Sequence, residues 1–201
     1  MTQKGIKTFI LVFLSLVIGL QARALDLGLE GGFDAAALTA TPGYGGRFAF
    51  AGGLLADVTI GKDLSVFPEL LYLREGTVTS GSGSTSEIQL DYLALPLSLK
   101  MHFPLQLLRL FVFGGPQISW AINRNQKLTT GSSSTNSSLS LSYNVIDIGL
   151  QAGVGADIPV TESLSVFAHA RYWLSITDAS AGSLSQKNRG LLVLGGAKIT
   201  L

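Results

Sequence analysis

The sequence predicts an all-β fold, an eight-stranded antiparallel up-and-down transmembrane β-barrel, on three observations. Hydrophobic alternation with a period of two marks about eight strand-sized segments. The connections between these segments alternate between tight turns and long polar stretches. All 5 Tyr and 2 Trp residues stand beside the long stretches, and amphipathic rings collect where hydrocarbon meets water.

Residues 1–24 stand apart from the barrel. Lys4 and Lys7 precede an apolar run from Phe9 to Leu20, and Ala22-Arg23-Ala24 offers a small-x-small cleavage site, which is the pattern of a secretory signal peptide. The run is shorter than the roughly 20 residues a spanning helix needs. The expected organisation is a signal peptide over 1–24 and a barrel domain over 25–201. Strands are expected near 25–34, 44–60, 64–76, 87–103, 107–122, 145–159, 163–176 and 189–201, each able to cross a thin bilayer with roughly 9–11 tilted residues.

Gly61-Lys62-Asp63, Pro104-Leu105-Gln106 and Val160-Thr161-Glu162 are the tight turns. The stretches near 35–43, 77–86, 123–144 and 177–188 are the long ones, rich in Gly, Ser, Thr and Asn. Short turns at one end and long loops at the other are the transmembrane-barrel pattern. The run TTGSSSTNSSLSLS at 129–142 has too little apolar surface to order itself and is expected to be a disordered loop. Pro68, Pro96 and Pro116 fall inside strands, where each removes a ladder donor, so bulges are expected there.

Of the 201 residues, 47% are apolar and only 13% charged, with mean hydropathy +0.41; globular proteins carry about 25% charge. Taking Lys4, Lys7 and Arg23 from 14 basic residues leaves 11 against 13 acidic ones, a net charge near −2. No basic patch points to nucleic acid. With no cysteine, disulfides, thiol catalysis and thiolate metal sites are excluded.

Strand parity separates an aliphatic face from a polar one. Ile146, Ile148, Leu150, Ala152, Val154 and Ile158 oppose Asp147, Gln151 and Asp157; Val166, Ala170, Tyr172 and Leu174 oppose Phe167, His169, Arg171 and Trp173. The polar face collects Asp26, Glu30, Asp34, Asp57, Glu69, Glu75, Asp147 and Asp157 with Arg47, Lys100, Arg109, Arg171, Lys198, His102 and His169. In a narrow eight-stranded lumen such charges must pair. The expected lumen network is Glu30, Arg47, Asp57, Glu69, Lys100, Asp147, Asp157, His169, Arg171 and Lys198, forming a salt-bridged plug. Tyr44, Tyr72, Tyr92, Trp120, Tyr143, Tyr172 and Trp173 form the expected aromatic belt. Leu71, Leu73, Phe111 and Phe113 fall on the lumen side against the scheme, while Arg74 and Asp91 fall on the lipid side, within reach of the interface. The inverse orientation, a soluble ligand-holding barrel, calls for more charge on the polar face and no belt.

The phrases VFPELLYLREG at 66–76, DYLALPLSLKM at 91–101, FVFGGPQISW at 111–120 and GLQAGVGADIPV at 149–160 resemble the bacterial porin family of small outer-membrane β-barrels, OmpA/OmpX-like in architecture. The resemblance spans the mature chain and implies residence in the bacterial outer membrane. Gly196-x-x-Ile199-x-Leu201 resembles the C-terminal signal read by the outer-membrane assembly machinery, with Leu194 where a polar residue is usual and Leu201 where an aromatic one is commoner.

Chemistry is sparse. Lipid A-modifying barrels use a His, a Ser and a carboxylate that must face lipid; His169 shares parity with Arg171, and His102 sits beside a tight turn with still less company. Glu30, Asp34 and Asp178 make no dense calcium loop, and Gly149, Gly153 and Gly155 lack the strand-to-helix turn of a phosphate site. The sequence therefore assigns no catalytic, metal or cofactor residues. It points to a non-enzymatic integral outer-membrane barrel with a narrow, charge-plugged lumen and a structural or surface-interaction role in its external loops. Its expected partners are outer-membrane lipids, the assembly machinery and periplasmic chaperones. The alternatives are a lipid A-modifying enzyme, a narrow channel for small solutes and a soluble carrier.

Overall fold

Period-two alternation becomes strand along most of the chain. The structure is a computed structural model that describes residues 24–38, 45–81, 84–130, 133–138, 145–177 and 188–201. The strands are β1 (Ala24–Leu38), β2 (Gly45–Thr59), β3 (Leu64–Gly81), β4 (Ser84–Pro104), β5 (Arg109–Thr130), β6 (Ser133–Ser138), β7 (Ile146–Pro159), β8 (Leu164–Ser175) and β9 (Asn188–Thr200). The sheet runs β4-β3-β2-β1-β9-β8-β7-β5-β6, and the further β4–β5 pairing closes eight strands into a ring with β6 outside it. Every pairing is antiparallel.

The first and last strands join along Asp26↔Thr200 to Leu38↔Asn188. Leu201 N donates to Leu25 O at 2.9 Å and Thr200 Oγ1 to Asp26 Oδ1 at 2.7 Å, pinning the seam at the tight-turn end. At that end, Gly61 N reaches Leu64 O (3.0 Å), Leu105 N reaches Leu108 O (2.9 Å) and Val160 N reaches Leu164 O (2.8 Å). All three tight turns thus fall on one rim.

The opposite rim differs from the sequence expectation. The β3–β4 ladder continues to Gly81↔Ser84, β4–β5 to Ser84↔Thr130, and β6 pairs with β5 from Asn125↔Ser138 to Thr130↔Ser133. Much of the stretches read as loops at 77–86 and 123–144 is therefore strand, and so are Ser133–Ser138 from the run expected to be disordered. Backbone pairing needs no alternating apolar face, and Thr suits strands, so hydrophobic periodicity had no means to reveal this extension. At 21 and 22 residues, β4 and β5 are about twice what a bilayer requires.

The prolines do not shift the register as expected. Leu55↔Glu69 and Val58↔Val66 keep one register across Pro68, Pro68↔Leu97 and Leu71↔Ala94 keep one across Pro96, and Pro96↔Gln117 and Leu99↔Gly114 keep one across Pro116. Each proline costs ladder pairs, but the pairs on either side hold the strands in place. The shifts lie elsewhere, between Gly46 and Ala51 and between Asp91 and Tyr92, where Ile122 is the extra residue in β5.

Parity sorts the side chains. Val154 is 59% exposed, and Leu150, Val193 and Ile199 stand with it on the outside; Gln151, Arg171 and Lys198 are buried inside. Read from the tight-turn rim outward, the inward residues of β8 are Ser165, Phe167, His169, Arg171, Trp173 and Ser175. An aromatic layer of Leu55, Phe67, Phe111, Phe113 and Phe167 lies deep in the bore, and an apolar layer including Leu71, Leu73, Tyr92, Trp173, Leu192 and Leu194 lies further out. The interior is thus not a plug of charge alone.

The glycines make room for these rings. A Cβ on Gly155 would meet Phe111 Cζ at 2.4 Å, one on Gly153 would meet Phe113 Cζ at 2.5 Å, and one on Gly149 would meet the Trp173 ring at 2.7 Å. Gly155→Val should therefore destabilise the barrel by about 1–3 kcal/mol through overpacking, while lipid-facing Ala152→Val should leave it unchanged. Urea unfolding in detergent micelles reads both; equal stability of the two variants would show that no ring packs on Gly155.

Candidate functional site: the ionic lumen

Two ionic clusters cross the bore, one on each side of the aromatic layer. Nearer the tight-turn rim, Lys100 Nζ and Lys198 Nζ each donate to Asp57 Oδ2 at 2.8 Å. Lys198 also donates to Asp157 Oδ2 at 3.3 Å and lies 3.3 Å from Asp26 Oδ2. The Lys100 ammonium sits 3.8 Å from the centre of the Phe111 ring and 4.6 Å from that of Phe67, a cation–π arrangement that links the ionic layer to the aromatic one. Strand geometry explains the convergence, since Asp57, Lys100, Asp157 and Lys198 are inward positions near the ends of β2, β4, β7 and β9.

The deeper cluster is built on Arg171. Its Nη1 donates to Glu69 Oε2 at 2.7 Å and to Gln151 Oε1 at 2.8 Å, while Nη2 pairs with Glu69 Oε1, completing a bidentate fork. Gln151 Nε2 continues to Ser98 Oγ at 2.9 Å. His169 Nε2 lies 3.0 Å from Arg171 Nη2 and 3.3 Å from Glu30 Oε2, and its ring packs among Phe67, Phe111, Phe113 and Phe167 at centroid distances of 5.3–6.4 Å. Glu30, Glu69 and His169 have the composition of a metal site, with ligand atoms within 4.8 Å of one another. The Arg171 guanidinium stands among those atoms and supplies the positive charge itself.

The sequence-derived lumen residues divide into separate groups. Glu30, Glu69, His169 and Arg171 meet in the deeper cluster, and Asp57, Asp157, Lys100 and Lys198 meet near the tight-turn rim. Asp147 is apart at the far rim, where it accepts from Ser175 Oγ and from Thr177 Oγ1, the latter at 2.7 Å. The side chains of Arg47 and Glu75, and all of Asp178, lie outside the described residues.

His102 has more company than its position beside a turn suggested. Ser65 Oγ lies 2.7 Å from His102 Nε2, and His102 Nδ1 lies 3.7 Å from Asp157 Oδ2. These are the residue types of a nucleophile, a base and an orienting acid, yet Ser65 is 0% exposed, so its hydroxyl is closed to substrate. Ser65, Ser98 and Gln151 escaped the sequence reading because neutral polar residues carry no charge signal, although parity alone would have placed them inward.

Two members of the expected belt are corrected. Tyr92 and Trp173 are almost fully buried in the apolar layer of the lumen, because parity outweighs proximity to the loops. Tyr172 is 47% exposed, and Tyr72 and Trp120 are half-buried on the outer surface; Tyr44 and Tyr143 lie outside the described residues. Arg74 and Asp91, placed on the lipid side by sequence, pair with each other: Arg74 Nε donates to Asp91 Oδ1 at 2.9 Å, Arg74 Nη2 to Tyr72 OH at 3.0 Å, and Asn123 Nδ2 to Asp91 Oδ2 at 3.1 Å. At the chain end, Ile199 and Leu201 face outward. Gly196 faces inward where a Cβ would meet Phe167 Cζ at 2.7 Å, so the glycine is needed for packing.

A closed antiparallel ring with an aliphatic exterior and an ionic interior is an integral membrane β-barrel. The chain belongs to the family described as outer membrane protein beta-barrel domain, whose profile matches residues 15–181, and it resides in the bacterial outer membrane. Solved structures of the same fold include Neisserial surface protein A (17% identity, 87% of this chain and 96% of that one, TM-score 0.53). The outer membrane protein OprG of Pseudomonas aeruginosa is also similar (12% identity, 90% and 97%, TM-score 0.54), as is AlkL in lipid bilayers (15% identity, 90% and 92%, TM-score 0.51). No curated protein matches the chain.

Removing one partner of a buried pair leaves the other charged and unpaired. Arg171→Met should therefore cost about 3–5 kcal/mol, and the double change Glu69→Met, Arg171→Met should recover a substantial part of it. A double-mutant cycle of unfolding in micelles checks this. Strict additivity of the two substitutions would show that the pair is not formed.

Proposed function

We propose that the protein is a non-enzymatic surface scaffold: the barrel anchors it, and recognition belongs to the strands and loops projecting from the rim opposite the tight turns. The observation that carries this reading is the continuation of β3, β4, β5 and β6 as one sheet past the length a bilayer requires. Rigid frameworks commonly present binding surfaces in this way. The lumen serves stability rather than passage, because eight strands enclose only enough room for side chains and two ionic and two apolar layers fill that room. Export by cleavage after Ala24 and insertion through the Gly196–Leu201 signal, with help from periplasmic chaperones, complete the reading.

Three outcomes test it. Replacing residues 124–144 with a short turn should preserve folding in detergent, read as heat-modifiable migration, while abolishing whatever surface binding the cells show; loss of folding would contradict the division of labour. Planar-bilayer recordings should show no large stable currents from pure protein. A fluorophosphonate probe should leave Ser65 unlabelled in the folded barrel, and labelling lost in Ser65→Ala would instead establish a hydrolase.

A further inference from the structure

Two features of different chemistry meet on one short stretch of the tight-turn rim, which faces the periplasm in this architecture. On the outer surface lies an apolar trough of about 600 Å³, within the range of about 300–1,000 Å³ typical of small-molecule sites. Ala156 and Ala168 form its floor, and Phe103, Leu110, Val112 and Val193 wall it. Inside the mouth lies a polar pocket of about 230 Å³ lined by Asp26, Asp57, Lys62, Asp63, His102 and Arg109, among others. The two touch at consecutive cross-strand pairs: Phe103↔Leu110 belongs to the trough and Pro104↔Arg109 to the pocket.

The pocket offers both signs of charge and carries buried polar atoms with no hydrogen-bond partner among the described residues. Asp57 is 2% exposed, and among the described residues nothing donates to its Oδ1, which lies 3.9 Å from His102 Nε2, and nothing accepts from Arg109 Nε. The lining joins carboxylates and cations a short distance apart, and a zwitterion complements both. The connecting turn is itself greasy, with Leu105 56% and Leu107 84% exposed, which suits a turn dipping into the membrane interface rather than one standing in water.

We propose that this rim binds a zwitterionic phospholipid of the periplasmic leaflet, with an acyl chain in the trough and its headgroup turned over the β4–β5 rim into the mouth. The phosphate would accept from Arg109 and Lys62, and the ammonium would sit against Asp26 and Asp63 at the mouth, with the buried Asp57 carboxylate adding to the negative field behind them. A lipid is the occupant because the trough is continuous with the aliphatic surface that already faces acyl chains. A second copy docked about a two-fold axis would bring one trough against the other and leave both unfilled. The inference does not depend on the proposed scaffold role.

The test uses the full mature barrel in nanodiscs of equimolar phosphatidylethanolamine and phosphatidylglycerol, released into the gas phase for native mass spectrometry. The expected result is one retained phosphatidylethanolamine, in roughly fivefold excess over phosphatidylglycerol. Ala168→Phe, which fills the trough from the lipid side, should abolish retention of both lipids. Arg109→Gln should weaken retention of both lipids alike, since both carry the phosphate, whereas Asp63→Asn should abolish only the preference. Heat-modifiable migration verifies that each variant is folded, and Ala168→Leu repeats the trough test with a milder change. Equal retention of the two lipids, retention unaffected by filling the trough, or a protein dimer in place of bound lipid would overturn the proposal.

Discussion

Backbone polar groups have no partner in hydrocarbon, and the rest of the structure depends on that constraint. A sheet in a bilayer must leave no edge, so β1 has to meet β9. The seam from Asp26↔Thr200 to Leu38↔Asn188 does this, and with β4 on β5 it completes the ring. Closure at eight strands then fixes the bore, and the bore decides what the inward residues are allowed to be.

In so narrow a space a charge survives only with a partner, and a ring only with room. The ionic clusters around Asp57 and Arg171 answer the first requirement. Gly149, Gly153, Gly155 and Gly196 answer the second by withholding side chains opposite Trp173, Phe113, Phe111 and Phe167. Charged and aromatic layers alternate and interlock, so Lys100 and Arg171 meet Phe faces as well as carboxylates, and His169 belongs to both. Such an interior stabilises the barrel by pairing its buried charges and packing its rings.

The eight membrane-crossing strands could be read from the chain because each pairs an aliphatic row with a polar one, as Ile148, Leu150 and Val154 do against Asp147, Gln151 and Asp157. The identity of most buried charges followed from the same parity. The grouping of those charges could not, since it depends on strand stagger: Asp57 meets Lys198 across 141 positions, and Arg171 meets Glu69 across 102. The outer extension of β3–β6 was hidden because Ser- and Thr-rich strands carry no hydrophobic period. Tyr92 and Trp173 were misplaced by weighing their nearness to loops above their parity, and Ser65 was missed beside His102 because a lone serine gives no signal.

The central claim is that the aliphatic row faces acyl chains and the ionic row is enclosed. The chain has no cysteine, so single cysteines can be placed along β7 and β8 without background. In liposomes carrying a lipid-phase quencher, fluorophores attached at Ile148, Leu150, Val154, Val166 and Leu174 should be strongly quenched. Cysteines at Gln151, His169, Arg171 and Trp173 should resist labelling in the folded barrel. Quenching that follows no two-residue period, or ready labelling of the inward set by aqueous reagents, would contradict the account.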